Sequence, residues 1–263
     1  MILFTGGGSF AQKFKELFTC TIISARNLDD ISLVEYLSKA NIIIHNSAII
    51  KGNSFKEFIE GNFLLTKRIL DLANEINPNV RFINISSMSI LDNDVDYLST
   101  HLMSDYAFSK FISEQYCLKH FHQNLINVRF STIFFENFKK DGFSKLILDS
   151  FSDKITIYNS GLAERDVIPL RIAVQYLNKL CYSDLQSKIV NIASGSALSF
   201  NYLSSLILKL NDKVVIQNIE CELAEILKTF SKKDIIRLGE IEFSIEEEFT
   251  NYYKKLNESF NLQ

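Results

Sequence analysis

Short apolar runs alternate with segments of helical spacing through the first half of the chain. The runs are too short for helices, are largely apolar and β-branched, and often end in polar residues; they occupy residues 1–5, 21–26, 41–48, 80–85 and 125–132. Such runs are typical of buried parallel strands. The segments between them place apolar residues on one helix face, at residues 9–18, 31–40, 55–76 and 104–122. This βαβα order predicts an α/β fold, a Rossmann-type doubly wound parallel sheet.

The alternation loosens after residue 135. Later helices are predicted at 142–151, 171–181, 200–210 and from 245 onwards, with strands at 154–158, 188–192 and 214–219. We therefore predict a dinucleotide-binding Rossmann core in residues 1–135. Residues 136–263 are expected to form mainly a small α/β substrate-binding region, with some segments returning to the core.

A glycine-rich turn joins the first predicted strand to the first helix. Gly6, Gly8 and Ala11 fit the pattern G-x-G-x-x-G/A, in which backbone approaches a pyrophosphate at a helix N-terminus. Ser9 and Phe10 lie inside the turn, so we expect them at the cofactor as well. The alternative is an ordinary tight strand–helix turn, but three glycines directly after the first strand favour nucleotide binding.

The exit of the second strand bears on the choice of cofactor. An acidic residue here would bind the ribose 2′-hydroxyl of NAD, but this chain has Ser24 and Arg26. A hydroxyl and a guanidinium suit a 2′-phosphate better, which favours NADP(H) and leaves NAD(H) as the alternative. Asn27 and Leu28 are placed to border an adenine ring. Arg26 as a solvated loop residue is the competing interpretation.

Small and polar residues follow the third strand. Ser47 and Ala48 would let a cofactor lie close to the backbone, whereas His45 is interpreted as structural. Asn62, within the next predicted helix, can point towards the edge of the sheet.

Tyr106 and Lys110 are four residues apart at the start of a predicted helix, so they share one face. An ammonium beside a phenol should lower the phenol pKa from its usual ~10. Tyr106 is therefore a candidate proton donor or acceptor at a carbonyl or hydroxyl carbon. Tyr and Lys also occur at this spacing by chance on many helices, so the catalytic interpretation depends on the other segments of the chain. The hydroxyls of residues 86–89 end the fourth strand, where ligands bind in open parallel sheets.

Composition and charge bear on possible partners, metal sites and cellular setting. The formal net charge is −3 and Lys and Arg form no dense cluster, which disfavours nucleic acid as a partner. The four cysteines are far apart without metal-ligand spacing, so no metal site is predicted and a reduced, cytoplasmic setting is expected. No signal peptide is evident at the N-terminus, and no apolar run approaches the ~20 residues of a membrane helix, so no membrane association is expected.

Several segments together resemble a known family. They follow one another as Thr5-Gly6-Gly7-Gly8, His45-Asn46-Ser47-Ala48, Asn62, Ile85-Ser86-Ser87, Tyr106-Ala107-Phe108-Ser109-Lys110, Val128-Arg129-Phe130-Ser131, Arg165-Asp166-Val167-Ile168 and Asn191-Ile192-Ala193-Ser194-Gly195. In this order the chain resembles the extended short-chain dehydrogenase/reductases, particularly the nucleotide-sugar epimerases, dehydratases and reductases. The resemblance covers nearly the whole chain.

The resemblance implies roles for individual residues. Ser87 resembles the hydroxyl that hydrogen-bonds the sugar oxygen, Tyr106 the catalytic acid/base, and Lys110 the lysine that holds the nicotinamide ribose. Arg165 matches an arginine that grips the diphosphate of a sugar nucleotide, and Thr132 stands where a substrate-contacting asparagine is common. The resemblance also implies that the cofactor is contacted by the segments containing Asn46, Ser47, Ala48 and Asn62.

Three positions depart from the family pattern. Ser9 and Gln12 replace the second and third glycines of the turn, Leu170-Arg171 occupies a region where an aspartate is usual, and Phe135 replaces a glycine. The leading hypothesis is a reductase that acts on a keto group of a nucleotide-activated deoxysugar, and the near alternative is an epimerase that retains NAD. The alternative from a different class is a non-catalytic NADP-binding sensor or scaffold. A homodimer built from the helices containing Asn62 and Tyr106 is also compatible with the sequence.

Overall fold

The chain is described by a computed structural model for residues 1–91, 104–120, 124–134, 142–185, 188–222, 227–228 and 230–261. The helices are α1 Ser9–Leu17, α2 Asp30–Ser38, α3 Phe55–Phe58, α4 Leu65–Ile76, α5 Asp105–His120, α6 Gly142–Ser150, α7 Leu170–Cys181, α8 Phe200–Leu210, α9 Lys233–Arg237 and α10 Ile245–Asn261. The strands are β1 Ile2–Phe4, β2 Thr21–Ile22, β3 Ile42–His45, β4 Arg81–Ser87, β5 Leu125–Phe130, β6 Thr132–Phe134, β7 Lys154–Tyr158, β8 Glu164–Pro169, β9 Ile189–Ile192, β10 Ala197–Ser199, β11 Val215–Ile219 and β12 Leu227–Lys228.

Six parallel strands form the central sheet in the order β2-β1-β3-β4-β5-β9. The chain leaves β1 towards β2 on one side and returns to β3 on the other. Strand order therefore reverses between β1 and β3, where open α/β sheets form a crevice at their carboxyl ends. The predicted α/β fold with a Rossmann-type parallel sheet is confirmed.

Two apolar clusters cover the faces of this sheet. One contains buried residues of α1 and α7, such as Phe14 and Leu177, and the other contains residues of α2 and α4, such as Leu33 and Ile69. A third cluster joins α6, α8 and α10 to β7 in the C-terminal part. The division of the chain at residue 135 stays a prediction, although β9 pairs with β5 and thus returns to the central sheet.

The predicted helix over 55–76 has a wider turn inside it. A π-helical turn, Ile59–Leu64, separates α3 from α4 and contains Gly61 and Asn62. A Cβ on Gly61 would lie 2.7 Å from Ile49 Cγ1, so the absent side chain lets this turn approach the end of β3 closely. Such turns recur at functional sites because they redirect a side chain.

Two boundaries and four additional strands differ from the sequence prediction. Strand β2 ends at Ile22, and a single 3₁₀ turn, Ala25–Asn27, takes up the expected exit. Helix α2 begins at Asp30, which the sequence predicts as its cap; the cap is instead Asp29, whose carboxylate accepts a hydrogen bond from Ser32 N at 2.8 Å while Asp30 pairs with Arg68. Strands β6, β8, β10 and β12 were not predicted. The Asp-rich segment 91–104, which the sequence predicts to be a surface loop, lies largely outside the described residues, as do Phe135 and residues 121–123.

No helix among the described residues is long and apolar enough to cross a membrane.

Candidate active site

The three predicted catalytic residues line one cavity of about 260 Å³ beside the glycine turn. Ser87 ends β4, while Tyr106 and Lys110 lie in the first two turns of α5. Gly8, Ser9, Phe10, Asn46 and Ala48 line the same cavity. The turn after β1, the end of β3, the end of β4 and the start of α5 thus converge at the crevice predicted from strand order.

Burial controls the charge of the phenol and the amine. Burial raises the pKa of Tyr106, and the hydrogen bond with Ser87 opposes that rise only in part. The expected lowering of this pKa is therefore wrong, since desolvation outweighs the one effect shown to lower it, the hydrogen bond with Ser87. Burial also lowers the pKa of Lys110 to about 8, against the opposing effects of Cys117 and Glu114. At neutral pH Tyr106 is protonated, and Lys110 is mostly protonated although its pKa is only about one unit above that pH.

Ser87 is held by the turn that follows it. Its hydroxyl lies 2.8 Å from the Ser89 hydroxyl and accepts a hydrogen bond from Ser89 N at 3.1 Å. Because this contact caps the 3₁₀ turn Met88–Ile90, the orientation of Ser87 is fixed by backbone as well as by side chains.

Asn62 connects the segment that follows β3 to α5. Its Oδ1 accepts a hydrogen bond from Ile49 N at 2.6 Å, and its Nδ2 donates to Ile49 O at 3.0 Å and to Ser109 Oγ at 2.8 Å. Ser109 in turn donates to the Tyr106 carbonyl at 2.7 Å. The fully buried Asn62 is thus seen to hold backbone and α5 in place, and its predicted contact with the cofactor stays a prediction.

A buried histidine ties the glycine turn to the π-helical turn. His45 Nδ1 lies 2.8 Å from Thr5 Oγ1, and Nε2 lies 2.8 Å from Thr66 Oγ1. Since Thr66 gives its proton to the Asn62 carbonyl, Nε2 must carry the ring proton and Nδ1 must accept one from Thr5. Burial lowers the pKa of His45 to about 3, so the ring is neutral. His45 has the structural role expected for it.

The glycine turn leaves no space at Gly6. A Cβ there would lie 2.8 Å from Ser47 Oγ, which donates to the Thr5 carbonyl at 2.6 Å. Asn46 donates to the Gly6 carbonyl at 2.9 Å. A Cβ on Gly8 would meet nothing within 4 Å, so this side of the turn is open towards the cavity that Gly8 lines.

Among the described residues, Asn46 Oδ1 and Ser86 Oγ are buried polar atoms of the cavity lining without a hydrogen-bond partner. Buried polar groups are normally paired, so these atoms mark positions where a polar ligand would complete the site. Together with the open glycine turn at the start of α1, they fit a dinucleotide cofactor.

Comparison with known proteins gives the family. The family model described as "NAD dependent epimerase/dehydratase family" matches residues 5–193. The chain belongs to the NAD-dependent epimerase/dehydratase family. No curated protein matches the sequence.

Solved structures agree with this fold. MoeE5, in complex with UDP-glucuronic acid and NAD, has a TM-score of 0.82 and 18% identity, covering 98% of this chain and 99% of its own. TunA, an NAD-dependent NDP-hexosamine 5,6-dehydratase, has a TM-score of 0.82 and 17% identity, with 96% of each chain covered. The UDP-glucuronic acid 4-epimerase from Bacillus cereus, in complex with UDP-glucuronic acid and NAD, has a TM-score of 0.77 and 20% identity, with 97% and 91% covered. At these identities the likeness shows a shared fold.

The residues that follow β2 lie at a second groove of this family member. Arg26 lines this groove of about 380 Å³ together with Arg68 and Gly61, and it donates to the Gly61 carbonyl at 3.3 Å. Arg68 is engaged with Asp30 and with the Leu28 carbonyl, each at 2.7 Å. Ser24 and Asn27 are exposed beside it.

Of the three residues predicted to bind substrate, Ser87 lines the 260 Å³ cavity, whereas Thr132 and Arg165 are not among its described lining residues. Thr132 is exposed on β6 and pairs with Val167 of β8. Arg165 lies on β8, where its guanidinium donates to the Glu164 carbonyl at 2.8 Å and burial lowers its pKa. Contacts of both residues with a substrate remain predictions.

Several lining residues were absent from the sequence prediction. They are Ile50, Ile85, Phe130, Ser131 and Ile133, whereas Ser86 belongs to the strand-end hydroxyls noted from the sequence. Ser86 and Phe130 end adjacent strands, and Ser87 pairs with Phe130 in the register of β4 and β5. The signal that identifies Phe130 is strand-end position, which requires the register and cannot be taken from one segment alone.

Proposed function

We propose that this chain is an NAD(P)-dependent reductase acting on a keto group of a nucleotide-activated sugar. The observation that carries the proposal is that Ser87, Tyr106 and Lys110 line one cavity with the open glycine turn. A hydroxyl, a phenol and an amine in one crevice supply orientation and proton transfer, while a bound nicotinamide cofactor would supply the hydride.

Each side chain has a distinct task in this proposal. The Ser87 hydroxyl donates to the substrate oxygen and fixes its position, and Tyr106 gives that oxygen a proton as negative charge develops. Lys110, buried beside the phenol, would hold the ribose of the cofactor and support the proton transfer. Because the pKa of Tyr106 is raised, the phenol is protonated at neutral pH, which is the form that a reductase requires.

Epimerisation is the second candidate, favoured by the family match. The same residues would then remove the hydroxyl proton first and return it after the hydride comes back on the opposite face. NAD would remain bound throughout. A dehydratase is disfavoured because Met88 and Ser89, directly after Ser87, supply no acidic side chain.

We further propose NADP(H) as the preferred cofactor, with Arg26 and the exposed Ser24 contacting the 2′-phosphate. Arg26→Ala should then weaken NADPH binding by about tenfold or more and leave NADH binding nearly unchanged, because one charge-assisted contact contributes ~1.5–3 kcal/mol. Isothermal titration with both cofactors measures this. Equal loss for both cofactors would contradict the assignment.

Turnover with excess nucleotide sugar separates the candidates. UDP-, GDP- and dTDP-linked 4-keto sugars would be incubated with NADPH or NADH, and coenzyme oxidation followed at 340 nm together with product analysis. A reductase consumes the coenzyme stoichiometrically, whereas an epimerase interconverts UDP-sugars without net consumption.

Tyr106→Phe tests whether the site is catalytic at all. This variant should bind cofactor normally and lose at least ~10²-fold in turnover, as expected for removal of a general acid. Folded Tyr106→Phe with the wild-type rate would remove the proposed role. A wild-type protein that binds NADPH but turns over none of the sugars would favour the non-catalytic sensor or scaffold.

Arg165→Ala and Thr132→Val test the proposed contacts with substrate. Arg165→Ala should raise KM for the nucleotide sugar more than it lowers kcat, since a diphosphate contact binds substrate and transition state alike. Cofactor affinity is the control, and an unchanged KM would contradict the proposal.

A further inference from the structure

A buried ion pair lies one helical turn beyond Lys110. Glu114 follows Lys110 by four residues on α5, so both side chains leave the same face of the helix. Glu114 is fully buried and Lys110 is 2% exposed. Arg129 of β5 meets the Glu114 carboxylate with two parallel hydrogen bonds, from Nε to Oε2 at 3.0 Å and from its terminal nitrogen to Oε1 at 2.5 Å.

The other ionisable groups near Lys110 are uncharged. On α5, burial raises the pKa of Tyr106 and raises that of Cys117 to about 12, so both are protonated at neutral pH. On β3, His45 is neutral because its pKa is lowered to about 3, partly by Lys110 itself. Among the described residues, the charge shown to act on Lys110 at neutral pH is therefore that of the Glu114 carboxylate, which Arg129 binds.

We propose that the Glu114–Arg129 ion pair sets the charge of Lys110, with Arg129 holding the Glu114 carboxylate back from the lysine. A buried carboxylate with no other partner would fix an adjacent lysine as an ammonium. The bidentate bond to Arg129 compensates that carboxylate, and its planar fork keeps it in place. Lys110 then keeps the pKa of about 8 to which burial lowers it, about one unit above neutral pH.

This inference deepens the proposed function and rests on it for its meaning in turnover. Lys110 touches the cavity, whereas Glu114 and Arg129 act only through it and are positioning residues. A lysine whose pKa lies close to neutral pH can change its protonation state as the Tyr106 proton moves. The competing explanation is that the pair only fastens α5 to β5, in which case the titration of Lys110 would not respond to the sign of the charge removed.

Removal of the Glu114 charge and removal of the Arg129 charge should shift the Lys110 titration midpoint in opposite directions. Lysines labelled with ¹³C at Cε are titrated by NMR in the cofactor-free protein, and the Lys110 signal is assigned by its loss in Lys110→Met. Glu114→Gln leaves an uncompensated arginine and should move the Lys110 midpoint down by about one pH unit. Arg129→Met frees the carboxylate and should move it up by about one unit. Shifts of the same sign, or no shift in either variant, would overturn the proposal.

Removal of one partner from a buried pair destabilises a protein, so a third variant is needed. Glu114→Gln/Arg129→Met removes both charges, and its midpoint should lie between those of wild type and Glu114→Gln. A midpoint at or above the wild-type value would overturn the proposal even if both single variants fail to fold. Arg129→Lys keeps a positive charge beside Glu114, so its Lys110 midpoint should lie closer to the wild-type value than that of Arg129→Met.

The pair Arg171–Glu248 offers a matched control. It also joins an arginine to a glutamate, between α7 and α10, away from the Lys110 cavity. Arg171→Met should leave the Lys110 midpoint unchanged. The titration needs neither cofactor nor substrate, so a chain that shows the predicted shifts but reduces no sugar would refute the proposed function and leave the charge-setting pair intact.

Discussion

Gly6→Ala should destabilise the protein by about 1–3 kcal/mol, the usual cost of overpacking a filled site. The added Cβ would lie 2.8 Å from Ser47 Oγ and 3.1 Å from both Ser47 Cα and Asn46 Oδ1. Ser47 cannot withdraw without breaking its 2.6 Å hydrogen bond to the Thr5 carbonyl, and that bond alone contributes ~0.5–1.5 kcal/mol. Asn46 is likewise fixed by its bond to the Gly6 carbonyl.

Gly8→Ala is the matched control for this prediction. It makes the same chemical change two residues later, but its Cβ would meet nothing within 4 Å. The Gly8 backbone, with φ −68° and ψ 175°, already suits an L-residue. We expect a change within about 0.5 kcal/mol, as for open surface sites.

Urea denaturation followed by circular dichroism measures both variants without cofactor. The slope of the unfolding free energy should stay constant while the midpoint falls for Gly6→Ala alone. Equal midpoints for the two variants would refute the argument that close packing at Gly6 is what requires glycine in this turn.

Three further predictions concern the buried polar contacts. His45 has an unfolded pKa near 6.5 and a folded pKa of about 3, so the unfolded state binds more protons between these values and stability falls as pH drops through that window. The loss should approach ~1.4 kcal/mol per pH unit and be absent in His45→Gln, measured by urea titrations from pH 7 to pH 4. Asp166→Asn should cost about 2 kcal/mol or more, because its amide would face the Ser194 and Gly195 N–H donors now bound at 2.9 and 2.8 Å. Thermal unfolding measures this, and the surface variant Asp149→Asn should be close to neutral. Asn62→Leu removes the bonds to Ile49 and Ser109 and should lower kcat more than cofactor affinity; a change in affinity alone would contradict its role in positioning α5.

The central sheet was predictable because its strands are buried on both faces. Residues such as Ile42, Ile43 and Ile44 leave no alternative to a short apolar strand between two helices. The strands that were not predicted, β6, β8, β10 and β12, lacked this signal. β8 reads as a polar segment before a helix, yet its partners β6, β10 and β12 come from distant parts of the chain. Pairing of this kind is set by tertiary contacts and not by local periodicity.

The sequence predicts those site residues whose side-chain type and spacing already indicate a catalytic role. Tyr106, Lys110 and Ser87 were identified by type and spacing, and the cavity contains all three. The charge state of Tyr106 was not predictable, because spacing reveals the lysine on the same helix face but not the burial that raises the phenol pKa. Phe130 was missed for a related reason, since it reaches the cavity through the register of β4 and β5.

The unusual glycine turn can be understood from the same geometry. Gln12, which replaces a family glycine, is exposed and places its amide 3.4 Å from the Gly7 carbonyl, on the far end of the first helical turn. Ser9, at the other substituted position, does line the cavity, but a hydroxyl there can donate to a phosphate oxygen. The position at which a side chain would collide with the end of β3 is Gly6, and that glycine is retained. The two departures therefore weaken the case for a chain that has lost cofactor binding, because neither falls where packing demands a bare backbone.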